Sequence, residues 1–142
     1  MITIRPAETR DATALALLLE VLSYTVSPQD LPARLQRFRS QGNGDVLVAE
    51  QNGEVVAFAA LEITYPIHHA EPVGHLSAFA VARSARRKGI GAQLLSAVES
   101  AARAAGCRRM VVTSAEGRAD AHAFYQAAGW PQTGRRFVKQ ME

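Results

Sequence analysis

A mixed α/β fold, one central sheet with helices on both faces, is the class this sequence predicts, and three observations predict it. Two apolar runs, Val46 to Ala49 and Val55 to Ile63, flank Asn52-Gly53, a strong short-range signal for an antiparallel hairpin. A third run, Leu76 to Ala82, leads through a basic, glycine-containing stretch into a long helix-patterned segment and then another strand-like run. That is the layout of a right-handed parallel crossover. Strand-like and helix-like segments alternate along all 142 residues without a linker, repeat or low-complexity tract, so a single domain over residues 1–142 is expected.

Ile2-Thr3-Ile4-Arg5 alternates apolar and polar, as a short strand does. From Asp11 to Tyr24, Leu15, Leu18, Leu19 and Leu22 line one helical face. A second helix opens at Ser27-Pro28 or Asp30, with Pro32 blurring its start, and runs to about Ser40, where Gln41-Gly42-Asn43-Gly44 supplies turn chemistry. After the hairpin, Tyr65 to Gly74 holds two prolines and two histidines and reads as a loop. Ile90, Leu94, Leu95, Val98, Ala101, Ala102 and Ala105 recur at helical spacing from Gly89 to Ala105, and Gly106 ends that helix. Arg109 to Thr113 reads as a strand, Ala119 to Ala128 as a helix closed by Gly129, and Arg136-Phe137-Val138 as a last strand. The expected order is β-α-α-β-β-β-α-β-α-β.

Composition narrows the function classes. Hydrophobic residues are 48% and charged residues 20%, a globular balance that excludes disorder. The one cysteine, Cys107, excludes an internal disulfide framework and a cysteine-based zinc site; it reads as a small buried hydrophobe in a cytoplasmic protein. The longest apolar run, Val55 to Leu61, is too short to span a bilayer, and the first residues lack a signal-peptide layout, so no membrane partner is expected. A net charge of +3 with 6% aromatic residues offers no stacking platform, so no nucleic-acid partner is expected either. His68, His69 and His75 lack metal-ligand spacing, and no metal is expected.

The positive charge is concentrated where a phosphate would be met. Arg83, Arg86, Arg87 and Lys88 fall within six residues, between the Leu76 to Ala82 strand and the helix that begins near Gly89-Ile90-Gly91. Helix N-termini present unpaired N–H groups and a partial positive charge, and glycines admit a ligand close to the backbone. No Gly-Lys-Ser/Thr follows, so this is not a P-loop, and it is not the full dinucleotide fingerprint. The bland reading, a tight strand-to-helix turn with a solvated basic surface, is weakened by the strand and helix on either side.

On Arg86-Arg87-Lys88-Gly89-Ile90-Gly91 the sequence resembles the GNAT superfamily of N-acetyltransferases, whose acetyl-CoA pyrophosphate signature is Q/R-x-x-G-x-G/A. Some thirty residues on, Ala121-His122-Ala123-Phe124-Tyr125 followed by Gly129-Trp130 resembles the family's second signature. The resemblance implies a GNAT-like acyl-CoA N-acyltransferase fold and, as cosubstrate, acetyl-CoA. It implies that Phe79, Ala80 and Val81 pair with the pantetheine arm as an extra strand would, in a V-shaped slot between the strands of Val81 and Val112. Arg86, Arg87, Lys88, Gly89, Ile90, Gly91 and Ala92 would hold the pyrophosphate, with Ser114, Ala121 and Phe124 also against the cofactor. Tyr125 would lie near the sulfur, as proton donor to the departing thiolate. Bland alternatives stand beside these: Tyr125 and Phe124 as core aromatics, His122 as a packed or capping residue, Ser114 as the start of a loop.

The activity implied is direct transfer of an acetyl group to the primary amine of an unidentified small molecule, in a ternary complex. The amine arrives protonated and needs a base. Many family members carry Glu or Asp on the strand before the pyrophosphate loop, but the matching positions here are Ser77 and Ala78. Glu62 or His75, acting through water, is the preferred catalytic base in their place, with His68, His69 or Glu71 as further choices. The missing carboxylate keeps a non-catalytic acetyl-CoA-binding module as an alternative, and a protein or peptide N-acetyltransferase is another. The acceptor pocket is expected from the first two helices, the Tyr65 to Gly74 loop and the chain from Trp130 to Phe137. Glu8, Glu20, Glu62 and Glu71 are placed to attract a cationic amine. The resemblance also admits a homodimer, through the C-terminal strand or exposed helix faces.

Overall fold

A computed structural model describes residues 1–113, 119–134 and 136–141. The chain divides into two compact units, Met1–Val111 and Val112–Glu142. Its strands are β1 (Ile2–Pro6), β2 (Gly44–Gln51), β3 (Glu54–Thr64), β4 (Val73–Val81) and β5 (Met110–Val112), and its helices α1 (Ala12–Val21), α2 (Leu31–Ser40), α3 (Ile90–Ala104) and α4 (Ala119–Ala127). The strands form one sheet in the order β1-β2-β3-β4-β5, antiparallel from β1 to β4. Pro6, which has no N–H to give a ladder, lies on the edge strand, where it is tolerated. The long helix α3 links the neighbours β4 and β5, as the crossover pattern implied.

The β2–β3 hairpin turns on Asn52 (φ 54°) and Gly53 (φ 81°), the two consecutive positive φ angles that a type I′ turn demands. Both long caps follow from glycines visible in the sequence. After α3, Gly106 (φ 93°) donates to Arg103 O at 2.9 Å and Cys107 donates to Ala102 O at 3.0 Å, a Schellman cap. After α4, Gly129 and Trp130 repeat it on Gln126 O (3.1 Å) and Tyr125 O (2.8 Å). The hydrophobic contact that accompanies such caps is Trp130 on Tyr125, ring centroids 5.8 Å apart.

Two cores sandwich the sheet. Leu15, Ala16 and Leu18 of α1 and Leu31 and Leu35 of α2 pack with Val46, Val48, Phe58, Ala60 and Ala80 of the sheet. On the other face α3 buries Leu94, Leu95, Val98 and Ala102. Gly74 marks how closely α3 approaches: a Cβ there would stand 3.3 Å from that of Ala102. Each fully buried Leu or Val contributes roughly 1.5–3 kcal/mol.

One irregularity in the β3–β4 ladder decides which side chains share a face. Ala60 pairs with Ala78, but Leu61 pairs with Leu76, so Ser77 is an extra residue on β4, a β-bulge. Ala80 belongs to the α1/α2 core and Ala78 packs against it. Unbroken alternation from Ala78 would turn Leu76 to that face and His75 toward α3. The bulge reverses this. Leu76 is buried on the α3 side, and His75 emerges opposite Glu62, on the α1/α2 face.

Three expectations need correction. The strand at Arg136-Phe137-Val138 does not form: the described residues there belong to no strand, and Phe137 is 92% exposed, with no neighbouring strand to bury it. The expected order therefore ends at α4. The loop after β3 is shorter than read, since Val73 and Gly74 already pair with Thr64 and Ile63. Of the two openings offered for the second helix, Asp30 is the one found, as N-cap of Leu31–Ser40, and Ser27-Pro28 is not: Pro28–Asp30 form a 3-10 turn, so Pro32 sits in the first helical turn, where a missing N–H costs nothing. No helix among the described residues is long and apolar enough to cross a membrane.

Candidate functional site

β4 runs directly into the basic loop. After Val81 comes a 3-10 turn, Arg83–Ala85, then Arg86, Arg87 (φ 64°), Lys88 and Gly89 (φ 78°) before α3 begins at Ile90. Ala85 and Ile90, both 2% exposed, anchor the two ends, while residues 86–89 stand in solvent. Two positive φ angles within three residues, at Arg87 and Gly89, bend the exposed chain sharply just before α3 begins. The first intrahelical bond after Gly89 runs from Gln93 N to Gly89 O (3.1 Å), and no side chain caps Gly89. The amides of Ile90, Gly91 and Ala92 precede that bond and have no acceptor within the helix.

A Cβ at Gly89 would meet no described atom within 4 Å, so this glycine is needed for its left-handed conformation rather than for space. Arg87 adopts a similar conformation despite its side chain, which the sequence reading did not anticipate. Arg86 Nε donates to Val81 O at 3.3 Å, tying the loop to the end of the strand.

Of the proposed pantetheine partners on β4, Ala80 is buried, and Phe79 and Val81 are half-buried. Ser77, at the bulge, is exposed, and its Oγ donates to Ala60 O at 3.4 Å. β5 is three residues long against nine for β4, so it flanks only part of its neighbour.

The two preferred bases come together. Glu62 and His75 are direct cross-strand partners, with His75 Nδ1 3.9 Å from Glu62 Oε2 and side chains 38% and 41% exposed for His75 and Glu62. Beside them lies a cavity of about 250 Å³, lined by Phe38, Gln41 and Asn43 at the end of α2 and by Glu62, Thr64 and Tyr65 at the end of β3. Gly44 pairs with Glu62 here, and a Cβ on it would overlap the Leu61 carbonyl oxygen, so only glycine lets β2 approach this closely. The sequence reading took residues 41–44 for turn chemistry alone; the signal it passed over was a polar turn leading into the strand that pairs with Glu62.

A larger groove of about 590 Å³ lies along α2 and Thr9, but its charged lining residue, Arg39, is held by Asp45 (2.7 Å) and by the Ala7 carbonyl. It has no acid or base to offer. The other candidate bases face elsewhere. His69 Nε2 accepts from Arg109 Nη1 at 3.0 Å, and Glu71 pairs with Arg108 at 3.8 Å. Desolvation, then Arg109 and His68, hold the His69 pKa below its ordinary value, which keeps the ring neutral and able to accept. Cys107 is buried, and burial raises its thiol pKa, as suits an inert residue.

Tyr125, Ala121 and Phe124 all belong to α4 in the second unit. Tyr125 is buried and meets Phe124 edge-on, ring centroids 5.4 Å apart, while Ala121 and Phe124 are half-buried. Ser114 lies outside the described residues.

Comparison with known proteins bears on the same residues. The family model described as "Acetyltransferase (GNAT) family" matches residues 13–130. The chain is 32% identical over 139 residues to an aminoalkylphosphonate N-acetyltransferase of Salmonella typhimurium, covering 97% of this chain and 90% of that one. It is 32% identical over 137 residues to an aminoglycoside N(6')-acetyltransferase type 1 of Stenotrophomonas maltophilia, covering 94% and 88%. Among solved structures, an aminoglycoside N-acetyltransferase in complex with CoA superposes with a TM-score of 0.86 at 22% identity, over 99% of this chain and 95% of that one.

Proposed function

Because the chain belongs to the acetyltransferase (GNAT) family and is an acyltransferase, we propose that it moves the acetyl group of acetyl-CoA to the primary amine of a small molecule, with Glu62 and His75 as its acid–base pair. The observation that carries this reading is the end of β4. One strand bears the bulge that turns His75 toward Glu62 and then enters a loop with positive φ at Arg87 and Gly89 and uncapped amides at Ile90, Gly91 and Ala92. Those amides, with Arg86, Arg87 and Lys88 around them, suit a diphosphate. Phe79, Ala80 and Val81 then offer backbone to the pantetheine arm.

The chemistry follows from these placements. An ammonium entering beside Glu62 is held by its carboxylate and gives a proton to His75 through water. The freed nitrogen lone pair attacks the thioester carbonyl carbon, and the resulting oxyanion is stabilised by a strand N–H near Phe79 or Ala80. Collapse breaks the C–S bond and the thiolate takes a proton from the Tyr125 phenol; the surplus proton of the attacking nitrogen passes through water to the phenolate, and His75 returns its own proton to solvent, leaving the amide and CoA as products. Ser114, Ala121 and Phe124 keep their assignment as cofactor contacts within this proposal. A non-catalytic reading rested on the missing carboxylate at Ser77 and Ala78; the Glu62–His75 pair supplies acid–base groups in its place. Both relatives above are named for small amine-bearing molecules, which supports such an acceptor over a peptide.

Isothermal titration with acetyl-CoA, with ATP as a phosphate control, tests the cofactor, and thiol release with amines tests the transfer. Tight binding of acetyl-CoA with little of ATP is expected. No acetyl-CoA binding at saturating concentration removes the pyrophosphate assignment and the transferase reading with it.

A further inference from the structure

We infer that the cavity beside Glu62 is the acceptor site and that it selects a compact primary amine whose remaining body is uncharged, an inference that rests on the acetyltransferase reading above. Size sets the first limit. At about 250 Å³ the cavity lies below the roughly 300–1,000 Å³ of pockets that enclose a drug-sized ligand. A multi-ring amino sugar would extend beyond it into solvent.

Charge sets the second limit. Glu62 is the one ionised group among its described lining residues. Its carboxylate pairs with a single ammonium and holds it beside His75. Beyond that point the ligand meets the amides of Gln41 and Asn43, the hydroxyls of Thr64 and Tyr65, and the Phe38 ring. These groups exchange hydrogen bonds with a hydroxyl or amide and neutralise no charge. No lysine or arginine is among the described lining residues. A phosphonate tail would enter a pocket that contains a carboxylate and no counter-charge. A second ammonium would find no second carboxylate among the described lining residues to receive it. The inferred acceptor therefore differs in chemistry from both the aminoalkylphosphonate and the aminoglycoside for which the two relatives are named.

Three probes of equal chain length separate these cases: aminopropanol, aminopropylphosphonate and diaminopropane, each titrated into the protein saturated with CoA, where no turnover occurs. Aminopropanol is expected to bind about tenfold more tightly than the other two. Gln41→Lys, an exposed change at the end of α2 that adds a cation to the lining, is expected to move the preference toward aminopropylphosphonate. An inverted or level ranking, no binding by any probe, or a ranking unmoved by Gln41→Lys overturns the inference. Failure of the transferase reading registers separately, as absence of thiol release from acetyl-CoA with every amine while the binding order stays readable.

Discussion

Two groups of ionisable side chains sit on the same sheet and differ in how far their polar atoms are occupied. At the β1 edge, both terminal nitrogens of Arg5 grip Asp11 at 2.9 and 3.0 Å, and one also reaches Glu50 at 3.0 Å. Asp11 takes a further bond from Glu8 N at 2.7 Å and is 5% exposed. Every oxygen of that carboxylate is spoken for. Across the sheet Glu62 and His75 stand 3.9 Å apart, half-exposed, on the rim of a cavity. A buried pair whose carboxylate is saturated staples the first 3-10 turn to the sheet. A pair 3.9 Å apart on a cavity rim has lone pairs and protons open to a ligand. Charge alone does not tell structure from function; saturation and access do.

The comparison can be broken at either end, and the largest effect on stability belongs to the buried group. Arg5→Ala leaves the Asp11 carboxylate buried without its partner and is expected to cost about 3 kcal/mol in a urea titration. Catalysis by the remaining folded protein should be unchanged. A loss below about 1 kcal/mol would mean that Asp11 is resolvated and the staple is not structural.

Acid should act on the same group. Hydrogen bonds from Arg5 hold the Asp11 pKa below its ordinary value, so the native state favours the ionised form. That contribution is complete above the unfolded value of about 3.9 and is lost as pH falls from there through the folded value. Urea midpoints measured from pH 6 downward should therefore drop below about pH 4 in the native sequence. They should drop less steeply in Asp11→Asn. The smallest stability effect is expected from Glu62→Gln, under about 1 kcal/mol, because the pair is half-exposed.

Much of the frame was legible in the residues because it rests on local chemistry. Asn52-Gly53 dictated the hairpin turn, Gly106 and Gly129 the two helix ends, and the strand–basic loop–helix order of residues 76–105 the left-handed bend at Gly89 that opens α3. Glu62 and His75 were legible as candidates but not as a pair, since their pairing depends on the register of β3 with β4. Ser77 sits in a run of small and apolar residues, and nothing in Leu76-Ser77-Ala78-Phe79 announces a bulge. The cavity was legible in part, through the second helix, Glu62 and Tyr65, while the share of Gln41 and Asn43 was not, because it depends on where the end of α2 meets the end of β3. Phe137-Val138 misled in the other direction. A short β-prone pair predicts a strand, but a strand exists only where a neighbour accepts its hydrogen bonds, and both residues are exposed.

The account turns on the pair that the Ser77 bulge assembles, and one measurement addresses it directly. Thiol release from acetyl-CoA in the presence of a compact amine should be compared between the native sequence and a Glu62→Gln, His75→Gln double variant. Acetyl-CoA affinity and melting temperature are recorded alongside. The account predicts a fall in kcat of about a hundredfold or more, with both other quantities nearly unchanged. A double variant that turns over within about twofold of the native rate would contradict it, and the base would then have to be sought away from β3 and β4.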